Sequence, residues 1–264
     1  MKLGPAVFLL AHPGHELFLY GWMQQLRPLV CVLTDGSGRS RKPRIEVTRA
    51  IVGQAGGTPG SVFGAIEDRV LYDLVLEGQT DFFSRLVERI ADMVVRQGVH
   101  CVVADALERR LLAHDLCHEL VRSAIALAAR RTQRSIPCFD FPIYGYYGAF
   151  PLHAPSEPLT LTLEPDTFAA KVHCARSLPG NGLRQEIDQL IELRGLDWFR
   201  REELRPIGAS AARSEPEVPW YEHHGEQLLA TGKVERVIRY REHVLPLLEA
   251  VRRSVALPDS ASTP

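Results

Sequence analysis

The chain has 264 residues, 45% of them hydrophobic, enough for one large domain or one domain with a substantial cap. Its formal net charge of -1 leaves no basic excess to neutralise nucleic-acid phosphates, so a duplex-binding role is excluded. No stretch approaches the ~20 apolar residues needed to cross a bilayer, which excludes a helical membrane span.

Ala6 to Ala11 is a continuous apolar run that stops at His12, Pro13, Gly14, His15 and Glu16. Such a run, closed by Pro and Gly, reads as a buried parallel strand with a tight turn at its carboxyl end. Lys2 precedes it, but the run is short and lacks a small-residue cleavage site, so it reads as a first strand and not as a leader. Leu17 to Leu26 reads as a helix and Leu29 to Thr34 as the second strand, ending in Asp35 and Gly36. Arg44 to Gln54 reads as a helix, stopped by the stretch from Gly56 to Gly60, with a short third strand from Ser61 to Gly64. Thr80 to Gln97 is an amphipathic helix with Phe82, Leu86, Ile90, Met93 and Val94 on one face.

His100 to Asp105 is the next strand, Asp115 to Arg131 a helix, and Ile136 to Phe139 a further strand. Alternation of this kind predicts an α/β fold: a Rossmann-like, mostly parallel sheet with helices on both faces. After Phe150 the pattern changes. Leu159 to Leu163 alternates like a half-exposed strand, and Leu183 to Leu204 reads as a helix broken near Gly195. Residues 206–219 read as a loop, and Val237 to Val251 ends in a helix that starts or breaks at Pro246. The expected organisation is a metal-site core over 1–150, a C-terminal elaboration of the same domain over 151–257, and a disordered tail over 258–264. Five cysteines without regular spacing or a CxxC pair imply a reducing, cytoplasmic setting.

The chemistry concentrates beyond the strand ends, where open α/β sheets bind ligands. His12 and His15 bracket a Pro-Gly turn, so both rings can converge on one ion; neutral imidazoles suit zinc and similar metals. A catalytic zinc keeps three protein ligands and one open position. The best source of the third is the segment from His114 to His118, whose two histidines lie four apart on one helix face. Tyr144 to Gly148 and Trp220 to His224 carry aromatic rings suited to a sugar-binding wall or to packing.

The first strand with the turn from His12 to Glu16, then Thr34, Asp35 and Gly36, then Glu46 in a helix, then His118 in a later helix, resembles the PIG-L (LmbE-like) N-acetylglucosaminyl deacetylase family. The resemblance spans roughly the first half of the chain. It implies a Rossmann-like fold, a zinc ion or another divalent transition metal, and hydrolysis of an acetamide on a sugar or sugar-linked small molecule by metal-activated water. It makes His12 the first ligand, puts His15 where the family has an aspartate ligand, and makes His118 the final ligand. Gly14 falls where the family has its general base, and glycine cannot take a proton.

The catalytic candidates are therefore Glu16, Asp35 and His114. Glu16 can instead support an imidazole from behind, Asp35 can cap the Asp-Gly turn, and His114 can donate to a developing oxyanion or stand at a helix start in solvent. The expected partner is an N-acylated sugar conjugate. The alternative, favoured by Gly14, is a family relative that binds a sugar, nucleotide or protein without hydrolysis.

Overall fold

Five consecutive apolar residues, Ala6–Leu10, form β1, buried on both faces as a central parallel strand requires. The computed structural model describes residues 4–38, 41–144, 157–177, 182–207 and 218–256. The chain continues through a 3-10 turn at His15–Leu19 into α1 (Tyr20–Leu26), then β2 (Leu29–Thr34) and α2 (Ile45–Gln54). Next come β3 (Thr58–Ile66), α3 (Asp68–Leu76), α4 (Thr80–Arg96), β4 (Cys101–Asp105), α5 (Leu112–Thr132) and β5 (Cys138–Phe141). The C-terminal part supplies β6 (Leu159–Thr162), α6 (Pro165–Ser177), α7 (Gly182–Arg194), α8 (Leu196–Arg200), β7 (Arg201–Pro206) and α9 (Trp220–Ala230). A π-helical turn at Tyr240–Val244 leads into α10 (Leu245–Ala256).

All seven strands lie in one sheet of order β3-β2-β1-β4-β5-β7-β6. The first five are parallel; β7 and β6 join antiparallel at one edge. The predicted α/β class with a mostly parallel sheet is therefore the observed one, and the order 3-2-1-4-5 is that of a doubly wound fold. Strand alternation divides the core into two clusters. Val7, Leu9, Cys31, Leu33, Val102 and Ala104 face α3, α4, α5 and α10. Ala6, Phe8, Leu10, Val30, Val32 and Val103 face α1, α2 and the helices of the C-terminal part. Helices thus cover both faces.

Several elements differ from expectation. β3 runs straight through Thr58, Pro59 and Gly60, where the sequence predicts a stop; as an edge strand it tolerates the proline. On α4 the buried stripe is Phe83, Leu86, Val87, Ile90, Ala91, Met93 and Val94, with Phe82 only packed against its margin. α5 starts at Leu112, just under a turn before the expected Asp115. The helix expected to reach Leu204 ends at Arg200, and Arg201–Pro206 is strand.

That strand is polar in sequence because its buried charges are paired. Arg205 Nε donates to Asp140 Oδ1 of β5 at 2.7 Å. Glu202, fully buried, accepts from Lys171 Nζ of α6 and from the backbone N–H groups of Gly21 and Trp22, each at 3.0 Å. The same contacts tie the C-terminal elements to α1. α10 packs on α4 and α5. The tail expected at 258–264 and the loop prolines 151 and 155 lie outside the described residues.

Candidate metal centre

The chain runs outward from β1 to β2 and β3, then returns to β4 on the other side of β1, so the crevice beyond the carboxyl ends of β1 and β4 is the topological switch point. His12 and His15 follow β1, Asp105 ends β4, and His114 lies in the first turn of α5. The turn between the two histidines needs Gly14, whose φ of 105° puts it in the region that glycine reaches without a steric penalty. Glu16 holds that turn in place. Its Oε2 accepts from the Gly14 backbone N–H at 2.7 Å, and its Oε1 accepts from Thr48 Oγ1 of α2 at 2.9 Å.

Three imidazoles face one another here. Ring centres are 5.5 Å apart for His12 and His15, 5.4 Å for His12 and His114, and 4.6 Å for His15 and His114. Three imidazoles bound to one ion at the usual ~2.0–2.1 Å would set their ring centres roughly 5 Å apart, and the observed spacing is close to that. Among the described residues the ligand atoms that lie together are those of His15, Asp105 and His114, all within 4.8 Å of one another; His12 borders this group and does not belong to it. His114 is 1% exposed, and neither ring nitrogen has a hydrogen-bond partner. A buried imidazole with both nitrogens unsatisfied is costly unless something accepts its lone pair.

The surrounding groups fix the other rings. Thr34 Oγ1 donates to the Ala11 carbonyl at 3.1 Å and so acts as acceptor toward His12 Nδ1 at 2.7 Å. The His12 proton is therefore on Nδ1, and Nε2 carries the lone pair. Asp68 Oδ1 stands 3.3 Å from the same Nδ1. Asp105 Oδ2 accepts from the Ala11 N–H at 2.7 Å, while Oδ1 lies 2.5 Å from His15 Nδ1 and 4.0 Å from His114 Nδ1. Carboxylate or hydroxyl support behind an imidazole is the usual second layer of a metal site.

Burial pushes the Asp105 carboxyl up, but the charge and hydrogen bond of His15 outweigh it and hold the pKa at about 2. Asp68 is likewise raised by burial but held at about 2 by its contacts with His12. Burial, reinforced by repulsion from His15, drives His114 well below the ordinary histidine range. The site thus keeps a neutral imidazole beside an ionised carboxylate, the protonation states that ligands require. Burial also lifts Glu16 and Asp115 to about 7.

Of the residues expected from sequence, His12 and His15 come together, and His114 joins them. His118 lies one helical turn further along α5; its Nδ1 donates to the Asp105 carbonyl at 2.9 Å. Among the described residues, ring contacts join His12, His15 and His114 and do not include His118. Asp35 Oδ1 accepts from the Ser37 N–H at 2.9 Å and the Asp68 N–H at 3.3 Å, holding the turn after β2. Cys117 is buried against the Leu9 carbonyl with its thiol pKa pushed far up by burial, so it is a packed thiol. Sequence reasoning does not single out Asp105, Asp68 or Thr34 as site residues; the one available signal is that Asp105 and Thr34 end strands.

No protein-family model and no curated protein matches the sequence. The fold does have solved counterparts. A deacetylase acting on A40926 pseudoaglycone, Dbv21, superposes with a TM-score of 0.52 at 16% identity, covering 80% of this chain and 100% of that one. N,N'-diacetylchitobiose deacetylase from Pyrococcus horikoshii gives a TM-score of 0.48 at 12% identity over 78% of this chain and 84% of the other. The conserved protein TT1542 from Thermus thermophilus gives 0.48 at 17% identity over 80% and 98%. The chain has the fold of the first of these.

Proposed function

We propose that this chain is a metal-dependent amidohydrolase of deacetylase type, a divergent member of the PIG-L group, acting on an N-acylated sugar or sugar-linked small molecule. The observation that carries the reading is His114: fully buried, both nitrogens unpartnered, its ring packed against His12 and His15 beside Asp105. Support comes from the sequence resemblance, the shared fold with the A40926 pseudoaglycone deacetylase Dbv21 and the placement of the cluster at the switch point.

His12, His15 and His114 would hold the ion, with Asp105 Oδ1 beside His15 Nδ1 to orient that ring. A bound zinc-class ion supplies Lewis acidity toward an acyl oxygen and lowers the pKa of water to about 7. The protein's own part is positional. Thr34 and Asp68 keep His12 in the Nδ1–H tautomer and so leave the lone pair on Nε2. Glu16 fixes the turn that spaces His12 from His15. His118 steadies the end of β4 through the Asp105 carbonyl. Among the described residues no helix is long and apolar enough to cross a membrane. Five cysteines without a disulfide support a reducing, cytoplasmic location.

Amine release from a panel of N-acetyl sugar conjugates tests the reading. Release should vanish with a chelator, return with zinc or another divalent transition metal, and be lost in His15→Ala. A second reading has its own observation: Gly14 offers no side chain, and Glu16 and Asp35 spend their carboxylates on backbone and threonine contacts. A chain that binds sugar conjugates without releasing amine would be the non-hydrolytic relative.

A further inference from the structure

The three rings of the cluster are not held alike. His12 has Thr34 and Asp68 at its Nδ1, and His15 has Asp105. Among the described residues no hydrogen bond anchors the His114 ring. Its place beside His15 therefore depends on packing and on the backbone of the helical turn that carries it. What fixes that turn comes from the far end of the chain.

α9 and the π-turn are fastened to each other. Glu222 Oε2 of α9 accepts from the Tyr240 N–H at 2.8 Å, and Glu226 pairs with Arg239. Gly225 permits the close approach: a Cβ there would lie 2.8 Å from Val237 Cγ1. The π form is itself rare and recurs at functional sites. This unit grips Arg109, whose left-handed backbone, φ 54°, persists in a residue other than glycine only where the surroundings fix it from several sides. The Arg109 carbonyl accepts from the N–H of Trp220, the first residue of α9, at 2.9 Å. Its guanidinium covers the Tyr240 ring, 4.5 Å from the centre, and reaches Tyr240 Oη at 3.5 Å. On its other side Arg109 holds Asp115 in the first turn of α5: its N–H donates to Oδ1 at 3.0 Å, and its guanidinium lies 3.6 Å from Oδ2. Asp115 directly follows His114.

We propose that α9 and the π-turn brace the first turn of α5, with Arg109 and Tyr240 as positioning residues that set the His114 ring against His15. This rests on the metal reading above and gives the C-terminal segment a part in it: the brace supplies for His114 the orientation that Thr34 and Asp105 supply for the other two rings.

Imidazole proton–nitrogen NMR spectra of the full chain test this, metal-free and with zinc added, the His114 signals being assigned by their loss in His114→Ala. Arg109→Asn tolerates the left-handed backbone and removes only the guanidinium; Tyr240→Leu removes the ring beneath it. Both should shift the His114 signals in a chain that circular dichroism shows to be folded, and zinc affinity by competitive chelation should fall roughly 10–100-fold. Tyr240→Phe, which keeps the ring, should retain most of the affinity. Arg252→Ala cuts a different tie to α5, the 2.6 Å contact with Glu119, and should lower the melting temperature without moving the His114 signals. Signals that stay in place in both Arg109→Asn and Tyr240→Leu, or that move as far in Arg252→Ala, would overturn the proposal. A wild type that takes up no zinc removes the hydrolase reading, and the metal-free spectra still decide the brace.

Discussion

The turn from His12 to Glu16 is where single residues decide most. His12 and His15 are legible because two imidazoles flank a Pro-Gly pair directly after an apolar run, a local pattern. Asp105 is not, because one acid at a strand end has no periodic signature and its meaning comes only from β1 and β4 lying side by side. That the His114 ring, and not the His118 ring, lies beside His12 and His15 turns on where α5 begins: with Leu112 and Ala113 inside the helix, His114 sits in its first turn and His118 one turn further along. Two outcomes are expected here. Gly14→Asp, which restores the carboxylate of the resembling family, should cost on the order of 1–3 kcal/mol in a thermal or urea melt because φ is 105°; an unchanged melt would mean the turn relaxes freely. Thr34→Val removes the acceptor for His12 Nδ1–H, and metal affinity by competitive chelation should fall roughly 10–100-fold.

At the scale of elements, apolar runs tell strand from helix well and charged runs do not. β2 lies where expected because Leu29 to Thr34 is uniformly suited to a buried strand. β7 reads as helix in sequence because Arg201, Glu202, Glu203 and Arg205 look like a solvated surface. In the fold Glu202 and Arg205 are buried, and their partners come from α6, β5 and the backbone of α1, none of them near in sequence. The asymmetry of that network is testable. Glu202→Ala leaves the Lys171 ammonium buried without its partner and uncaps Gly21 and Trp22, so the loss by urea denaturation should be about 3–5 kcal/mol. Lys171→Met leaves Glu202 two backbone donors and should cost clearly less. Equal losses would show that the ion pair itself, and not the orphaned charge, governs stability.

For the whole molecule, the doubly wound order puts the β1 and β4 ends together at the switch point, and that much follows from alternating strands and helices in the first half of the chain. The C-terminal part is harder to read because it extends the same sheet by two antiparallel edge strands whose pairing is set by tertiary contacts. What the topology assembles is a triangle of imidazoles beside a carboxylate, and the whole account requires that triangle to hold a cation. The deciding measurement is the transition-metal content of the purified chain, by elemental analysis, in the wild type, His114→Ala and His118→Ala. About one ion per chain is predicted for the wild type, none for His114→Ala, and weakened but measurable uptake for His118→Ala. A metal-free wild type, or metal kept by His114→Ala and lost from His118→Ala, would contradict it.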